Sequence, residues 1–485
     1  MSQQTYQGGA LYELVARGVK DTYFFEDGAG GVNPFSWSYE KYPAVQTETR
    51  HVRPLNALPR GAGNAFNRTI IIDIDQYGDI LQSASIHVRL PSWIPPQYRP
   101  YIKRGVIRAD VSGQPAYGYT SGPAYALFSK IEILQDNITL QELTGDALYV
   151  ASRHEGSWNR HHYADSIAGV RAGSSATDDP LAVQRSADPD ITYIIPLPFI
   201  TDFPLTALRG QRFRVRLTLR DIKDIVVCTD PAVSRPAPWS VPQFRVWTSP
   251  TDTSGTAFKP LGLAELDAPT VSIQLVQAYL SNEDRAALSA ATYVIPYRRY
   301  ITHNSYSVGP LTYSTYDATP PTEPAIIRNY DGLYYVDRVY TVVRSERALQ
   351  QGRRTAYNNL TVSGEQYITS LQSAYGSTVR DGPWSALVWN RLAQHAHESY
   401  ASAIAAYIQN YGFAPSTLKN DATRTSYNAP AGLNYSEAVD PNLRLTLADI
   451  EPDMNGVKGA RVDIILCATA FYAIEAGRGG LLFGT

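Results

Sequence analysis

The sequence is poor in cysteine and charge and has no long apolar run. Its two cysteines, Cys228 and Cys467, each follow an apolar, strand-like run in a different half of the 485-residue chain. Two cysteines so placed exclude a disulfide framework and favour an intracellular, reducing site of synthesis. No apolar run approaches the length of about 18 residues that a membrane-spanning helix needs, and Met1 leads into polar residues instead of a secretory leader. We therefore expect a protein that remains soluble where it is made.

The low charge content excludes several kinds of partner. Charged residues make up 18% of the chain and the net charge is -2, so no global field attracts nucleic acid or an anionic membrane. Sequence-specific binding to nucleic acid is therefore not expected.

Catalytic signatures are missing as well. The sequence contains no G-x-x-x-x-G-K-[ST] loop, no G-x-S-x-G elbow and no paired C-x-x-C. We expect no enzyme activity, and we assign no catalytic residue, no cofactor and no metal ligand.

Aromatic and turn-forming residues are what the chain has in abundance. The 34 Tyr, 34 Gly and 32 Pro are typical of a strand-rich, turn-rich protein with extensive interfaces. In the segment QRFRVRLTLR at 211–220, polar residues alternate with apolar ones, which predicts a strand with one core face. Its arginines, Arg212, Arg214, Arg216 and Arg220, would line the polar face, either at a subunit or domain contact or at a hydrated edge. Two further short strands are predicted on either side of a turn at Asp136-Asn137. Short strands at this spacing indicate a sandwich or barrel.

The chain is too long for one core of ordinary size, so we expect two large β-domains. We interpret the Ser/Thr-rich stretch at 229–270 as the linker, and we expect one short strand in it at 244–247. Seven prolines punctuate this stretch, namely Pro231, Pro236, Pro238, Pro242, Pro250, Pro260 and Pro269. Further strands are predicted near 271–279, 292–296, 334–343 and 462–468. Apolar residues at every fourth position predict a helix over 382–412, and a shorter helix is predicted over 284–291.

Two segments are candidate contact sites. Near the N-terminus, Leu11, Leu14, Val15 and Val19 form one apolar stripe on a short helix, which needs a surface to pack against. A basic loop carries Arg99, Lys103, Arg104 and Arg108 among tyrosines. It could meet nucleic acid or an anionic headgroup, or it could be an ordinary exposed loop.

Five sequence blocks resemble the major capsid proteins of nucleocytoplasmic large DNA viruses. The first is GGALYELVARGVKDTYF at 8–24, followed by Asn33-Pro34, and the second is IPLPFITDFPLTALRGQRFRVRL, which begins at Ile195. Three more lie in the second half: YLSNEDRAAL at 279–288, PAGLNYS at 430–436 and FYAIEAGRGGLLF at 471–483. The five blocks occur in the family's order from end to end of the chain.

This resemblance implies an all-β double jelly roll, with two consecutive eight-stranded antiparallel jelly rolls, long loops, an N-terminal helical arm and a few decorating helices. We expect the arm at 1–24, the first jelly roll at 25–228, the linker at 229–270 and the second jelly roll at 271–485. The implied function is structural: homotrimers with a pseudo-hexagonal outline tile an icosahedral shell.

The resemblance also implies partners and a location. The partners would be further copies of the chain, neighbouring capsomers, minor capsid or cement proteins, and an internal membrane. The protein would be found in the virion, after synthesis and assembly in the host cytoplasm.

Two alternatives remain open at this point. The same fold could serve a minor capsid or transient scaffold protein, which abundance in purified particles would distinguish. A carbohydrate-binding jelly-roll protein is the other, and it would need a cleft with two carboxylates about 5 to 10 Å apart.

Overall fold

A computed structural model of the chain describes residues 45–56, 58–59, 65–100, 117–154, 168–169, 183, 185–197, 202–229, 244–246, 256–308, 325–328, 335–355, 368–376, 378–385, 407–410, 433–437, 440–447, 450 and 452–482. The chain divides into two compact units, Met1–Val45 and Gln46–Thr485, and the description below concerns the second. The predicted N-terminal helix and its apolar stripe lie outside the described residues.

The strands of the first half follow one another along the chain as β1 (Gln46–Val52), β2 (Thr69–Ile74), β3 (Ile80–Arg89), β4 (Tyr117–Tyr119), β5 (Phe128–Gln135), β6 (Ile138–Leu143), β7 (Tyr193–Pro196), β8 (Phe203–Pro204), β9 (Phe213–Leu219), β10 (Val226–Cys228), β11 (Phe244–Val246), β12 (Thr256–Phe258) and β13 (Thr270–Tyr279). Within the described ranges, the helices α1 (Pro123–Leu127) and α2 (Gly145–His154) lie between these strands.

The second half continues with α3 (Asn282–Ala290) and α4 (Glu346–Gln350), and with the strands β14 (Tyr293–Val308), β15 (Ala325–Arg328), β16 (Tyr335–Ser345), β17 (Ile368–Tyr375), β18 (Thr378–Ser385), β19 (Tyr407–Asn410), β20 (Leu433–Asn434), β21 (Pro441–Leu447), β22 (Ala460–Glu475) and β23 (Arg478–Leu481).

The first half contains two larger antiparallel sheets and, separate from them, the strand pairs β4-β10 and β11-β12. One sheet has the order β1-β13-β3-β7 with β8 beside β3, and the other has the order β2-β9-β5-β6. Inward side chains of both sheets, such as Ile86, Ile273, Ile133 and Val215, belong to one hydrophobic cluster. The two sheets therefore form a sandwich over a shared core.

The second half repeats this plan. One sheet has the order β14-β22-β16-β19, with β20 beside β16 and β23 beside β22, and the other has the order β15-β21-β17-β18. Val343, Leu371, Leu445 and Ile464 represent the four strands that share its hydrophobic cluster. The prediction of a chain built mainly of β-strands is confirmed.

Local patterns predicted several elements well. Burial in β9 alternates from Phe213 to Leu219 as its sequence predicts. Asp136 and Asn137 form the tight turn between β5 and β6, and Asp136 adopts a φ of 50°. The predicted helix at 284–291 is confirmed as α3, whose N-terminus is capped by the Ser281 hydroxyl, which accepts from the Asp284 amide.

Three predictions are corrected by the described residues. The helix predicted over 382–412 is wrong at both ends, because β18 extends to Ser385 and β19 covers Tyr407–Asn410; residues 386–406 lie outside the described part. Strand β13, expected in the second half, pairs with β1 and β3 of the first half. The single short strand predicted in the linker is confirmed as β11, but it pairs with a second strand, β12, that was not predicted.

Cys228 and Cys467 are both buried, and neither forms a disulfide. Among the described helices, none is long and apolar enough to cross a membrane.

Candidate functional site at the contact between the two halves

Strand β22 is buried on both of its faces. Its sequence, ARVDIILCATAFYAIE, is buried at nearly every position. Val462, Ile464 and Leu466 pack in the cluster of the second half, whereas Ile465 and Cys467 pack in the cluster of the first half. The sheet that contains β22 is therefore a wall shared by both cores, and the two sandwiches cannot separate without exposing it.

A cluster of buried charges crosses the same contact. Asp146 in α2 accepts two hydrogen bonds from Arg220 of the first half, at 2.8 and 2.9 Å. From the second half, Arg344 donates to Asp146 at 3.2 Å and also donates to Asp463, and Arg354 lies 3.7 Å from Asp146. The side chains of Arg220, Asp146, Arg344 and Asp463 are 7%, 7%, 3% and 4% exposed.

The arginines decide the charge state of Asp146. Burial alone would raise the pKa of this carboxyl, but the guanidinium groups of Arg220, Arg344 and Arg354 outweigh burial and hold its pKa well below the ordinary value. Asp146 is therefore ionised, and it compensates arginines from both halves. Removal of this one carboxylate would leave those guanidinium groups buried with less compensating charge.

Between β6 and β14, hydrogen bonds from side chains take the place of the backbone hydrogen bonds of a sheet. The Gln141 amide nitrogen donates to the Tyr300 carbonyl at 3.1 Å, and the Tyr300 amide donates to the Gln141 oxygen at 3.2 Å. The Tyr297 hydroxyl donates to the Leu140 carbonyl at 3.1 Å. These bonds satisfy polar groups that the contact buries, and they fix the position of one strand against the other.

The C-terminal hairpin also ties the second half to the first. The Gly479 amide donates to the Gln211 side-chain oxygen at 2.6 Å, and the Gly479 carbonyl accepts from Gln211 and Gln135 at 3.2 and 3.1 Å. A Cβ at position 479 would lie 2.0 Å from the Tyr472 hydroxyl, so only glycine fits there. Gly479, in strand β23, thus docks the hairpin β22-β23 on the first half.

A second glycine marks the other end of the contact. Gly352 follows α4 with a φ of 73°, and a Cβ there would lie 2.1 Å from the Val226 carbonyl oxygen of β10. Nearby, the buried Thr355 hydroxyl donates to the Ser121 carbonyl at 2.7 Å. The segment after α4 therefore approaches the first half at backbone distance.

Of the predicted basic loop, the structure describes Arg99 alone; Lys103, Arg104 and Arg108 lie outside the described residues. Arg99 donates to the Ile94 carbonyl at 3.0 Å and lies 3.8 Å from Asp188. Arg99 and Asp188 both line a cleft of 520 Å³. Arg99 thus holds its own loop through local contacts.

The arginines of β9 divide into two groups. Arg214 and Arg216 lie on the outer face of the sheet, where they pair with Asp73 at 2.9 Å and Glu132 at 3.5 Å. The prediction that Arg220 belongs to this polar face is wrong, because the alternation ends at Leu219 and Arg220 is buried against Asp146.

The inter-half cluster was missed by sequence reasoning. Asp146 and Arg344 have no motif around them, and their ion pair joins residues 198 positions apart. One signal of the cluster was available in the sequence. Arg220 continues the alternation of β9 by one residue, and the structure buries its side chain. Within the part of the chain that the structure describes, no group of three His, Cys, Asp or Glu side chains is arranged to hold a metal ion.

Comparison with known proteins identifies the fold. The sequence matches no protein-family model and no curated protein. A capsid chain of the virus PBCV-1 matches with a TM-score of 0.62 and 12% identity, covering 93% of this chain and 100% of its own length. The chain has the fold of viral major capsid proteins.

Further solved structures agree with this capsid fold. VP54 of PBCV-1, as fitted into a reconstruction of the virophage Sputnik, matches with the same TM-score of 0.62 and 12% identity over 93% of this chain and all of its own. The Faustovirus major capsid protein matches with a TM-score of 0.55 and 12% identity over 91% of this chain and 92% of its own. At this identity the likeness establishes the fold and leaves the function to be argued separately.

We predict that Asp146→Asn strongly destabilises this capsid fold. The amide keeps the shape of the carboxylate but removes its charge, and breaking a buried ion pair in this way costs about 3 to 5 kcal/mol. Urea unfolding at equal protein concentration measures the loss. The matched control is Glu142→Gln, which removes a carboxylate with a 53%-exposed side chain that lies 3.0 Å from Lys130; about 1 kcal/mol or less is expected for it. Equal stability of the two variants would contradict the assigned role of Asp146.

Acid should remove the contribution of Asp146. Its pKa is lower in the folded chain than the ordinary value of 3.8, so the folded state binds fewer protons and stability falls as the pH falls. The stability difference between the wild type and Asp146→Asn should be constant at neutral pH and shrink as the pH falls below 3.8 toward the folded pKa. Urea midpoints measured from pH 7 downward test this, and a difference that grows on acidification would refute it.

Proposed function

We propose that this chain is a major capsid protein, a structural subunit that self-assembles into the shell of a large double-stranded DNA virus. The observation that carries this proposal is the match along almost the whole chain to a PBCV-1 capsid chain, of which all residues are covered. An enzyme or a small binding module that contained only one such sandwich would match only about half of such a chain.

The proposed subunit has two jelly rolls of eight strands each that act as one rigid block. Because β13 pairs in the first sheet, the boundary between the jelly rolls is proposed to fall after Tyr279 rather than at residue 271. The shared wall at β22 and the charge cluster around Asp146 support rigidity, since both are buried between the halves.

The two-lobed subunit supports a homotrimer. Three copies of a subunit with two similar lobes present six lobes around one axis, which gives a pseudo-hexagonal outline. Such capsomers can tile a shell with nearly equivalent contacts. The proposed partners are neighbouring capsomers, minor capsid or cement proteins and an internal membrane, and the proposed location is the virion after assembly in the host cytoplasm.

The proposed trimer predicts a mass. Light scattering on the purified chain should give three times the chain mass of 53.5 kDa, because the assembled unit is the stable species. A fully folded protein that remains monomeric at micromolar concentration would refute the trimer. In purified particles this chain should be the most abundant protein on a stained gel, whereas a minor component would indicate a scaffold or accessory role.

The N-terminal segment is proposed as an assembly arm, with Leu11, Leu14, Val15 and Val19 as its contact stripe. Deletion of residues 1–24 should leave both jelly rolls folded, because each has a hydrophobic cluster of its own among the described residues, and should impair formation of the shell. Thermal melting measures folding, and electron microscopy counts closed particles. Normal shells from the truncated chain would show that the arm is dispensable.

A further inference from the structure

A cleft lies at one end of the first sandwich, where β3 ends and β13 begins. Arg89 and Thr270, which are cross-strand neighbours, both line it. The other described lining residues come from the segment after β3, the segment before β7 and the segment before β13. Its volume of 520 Å³ falls within the range of about 300 to 1,000 Å³ that is usual for small-molecule sites.

Negative charge prevails among the described residues that line the cleft. They include three carboxylates, Asp188, Asp190 and Asp267, and two guanidinium groups, Arg89 and Arg99. Arg99 already donates to a backbone carbonyl and lies 3.8 Å from Asp188. A cleft with this balance of charge attracts a cation and disfavours an anion.

The Asp188 carboxylate is buried, and one of its oxygens lacks a donor. Its side chain is 7% exposed, and Oδ1 lies 3.8 Å from Nε of Arg99. Oδ2 accepts no hydrogen bond from any residue that the structure describes. A buried carboxylate oxygen without a donor is costly. Because Asp188 lines the cleft, a donor bound there is placed to supply the missing hydrogen bond.

The uncharged part of the lining selects among cations. Leu90, Pro91, Pro189 and Ala268 give the cleft an aliphatic part that suits a hydrocarbon chain. The described lining residues include no aromatic side chain, whereas quaternary ammonium groups are typically bound by aromatic cages. A metal ion is not favoured either, since no group of three His, Cys, Asp or Glu side chains among the described residues is arranged to hold one.

We infer that this cleft binds a primary ammonium group carried on an aliphatic chain, with Asp188 as its buried acceptor. An ammonium group has three donors and no acceptor, so it matches a site that offers carboxylate oxygens. Either a free aliphatic diamine or the lysine side chain of another protein carries this group. The inference is independent of the proposed function.

Titration calorimetry with the diamine cadaverine tests the site. Pentanediol is the matched probe, because it has the same chain with hydroxyl groups in place of the ammonium groups. Hydrogen bonds from a charged donor are about twice as strong as neutral ones, so cadaverine should bind about tenfold more tightly than the diol, which corresponds to about 1.4 kcal/mol. Equal binding of the two probes, or no binding of cadaverine at millimolar concentration, would overturn the inference.

A third probe distinguishes the two sources of the ammonium group. Lysine with its amino and carboxyl ends blocked by acetyl and methylamide groups presents the side chain as a protein does. Tighter binding of blocked lysine than of cadaverine would support the inference with a protein lysine as the source. Tighter binding of cadaverine would support it with a free diamine as the source.

Asp188→Asn keeps the shape of the side chain and removes its charge. Binding of cadaverine should weaken by about tenfold, which again corresponds to about 1.4 kcal/mol. The control is Glu283→Gln, which makes the same change of charge at an exposed position in α3. Helix α3 follows the end of β13 opposite the cleft, and ten strand residues span about 33 Å. This distance exceeds the screening length of about 10 Å at ~0.1 M salt, so a change within about twofold is expected.

Thermal melting establishes that each variant is folded. If Asp188→Asn does not fold, Asp267→Asn carries the test, because Asp267 is exposed and lines the same cleft. Folded cleft variants that bind cadaverine like the wild type would overturn the inference. Equal weakening by Glu283→Gln would also overturn it, since the probe would then respond to net charge alone. The proposed capsid role would stand in either case.

Discussion

Burial of β22 on both faces is the constraint on which the rest of the structure depends. A strand in a single sandwich needs one apolar face, and its other face can be solvated. Here Ile464 and Leu466 complete the core of the second half while Ile465 and Cys467 complete that of the first. Neither core is closed without the other, so the two sandwiches must fold as neighbours in a fixed orientation.

The same constraint explains why the polar groups at the contact between the two halves are paired. Once the wall is buried on both sides, every charge and backbone group beside it needs a partner within the chain. Asp146 compensates arginines from both halves, Gln141 supplies hydrogen bonds to Tyr300 where the sheet does not, and Gly479 leaves room for the buried Tyr472 side chain. For a shell, the consequence is a subunit whose two lobes cannot rotate independently.

Local sequence patterns predicted elements whose environment is local. The alternation in β9 and the Asp136-Asn137 turn appeared where expected, since one face of that strand meets solvent. The predicted helix over 382–412 was wrong at its ends because a spacing of four residues fits both a helix and one face of a strand. Strand β22 hides its alternation because both faces are apolar, and the pairing of β13 with β3 and of Arg344 with Asp146 joins positions nearly two hundred residues apart, which no local pattern encodes.

The capsid fold makes assembly the central claim about this protein, and the shape of the assembled unit tests it most directly. Under the proposed function, negative-stain electron microscopy of the purified chain should show particles with a hexagonal outline and three-fold symmetry, because three two-lobed subunits would surround one axis. Single two-lobed particles at every concentration examined would contradict the account.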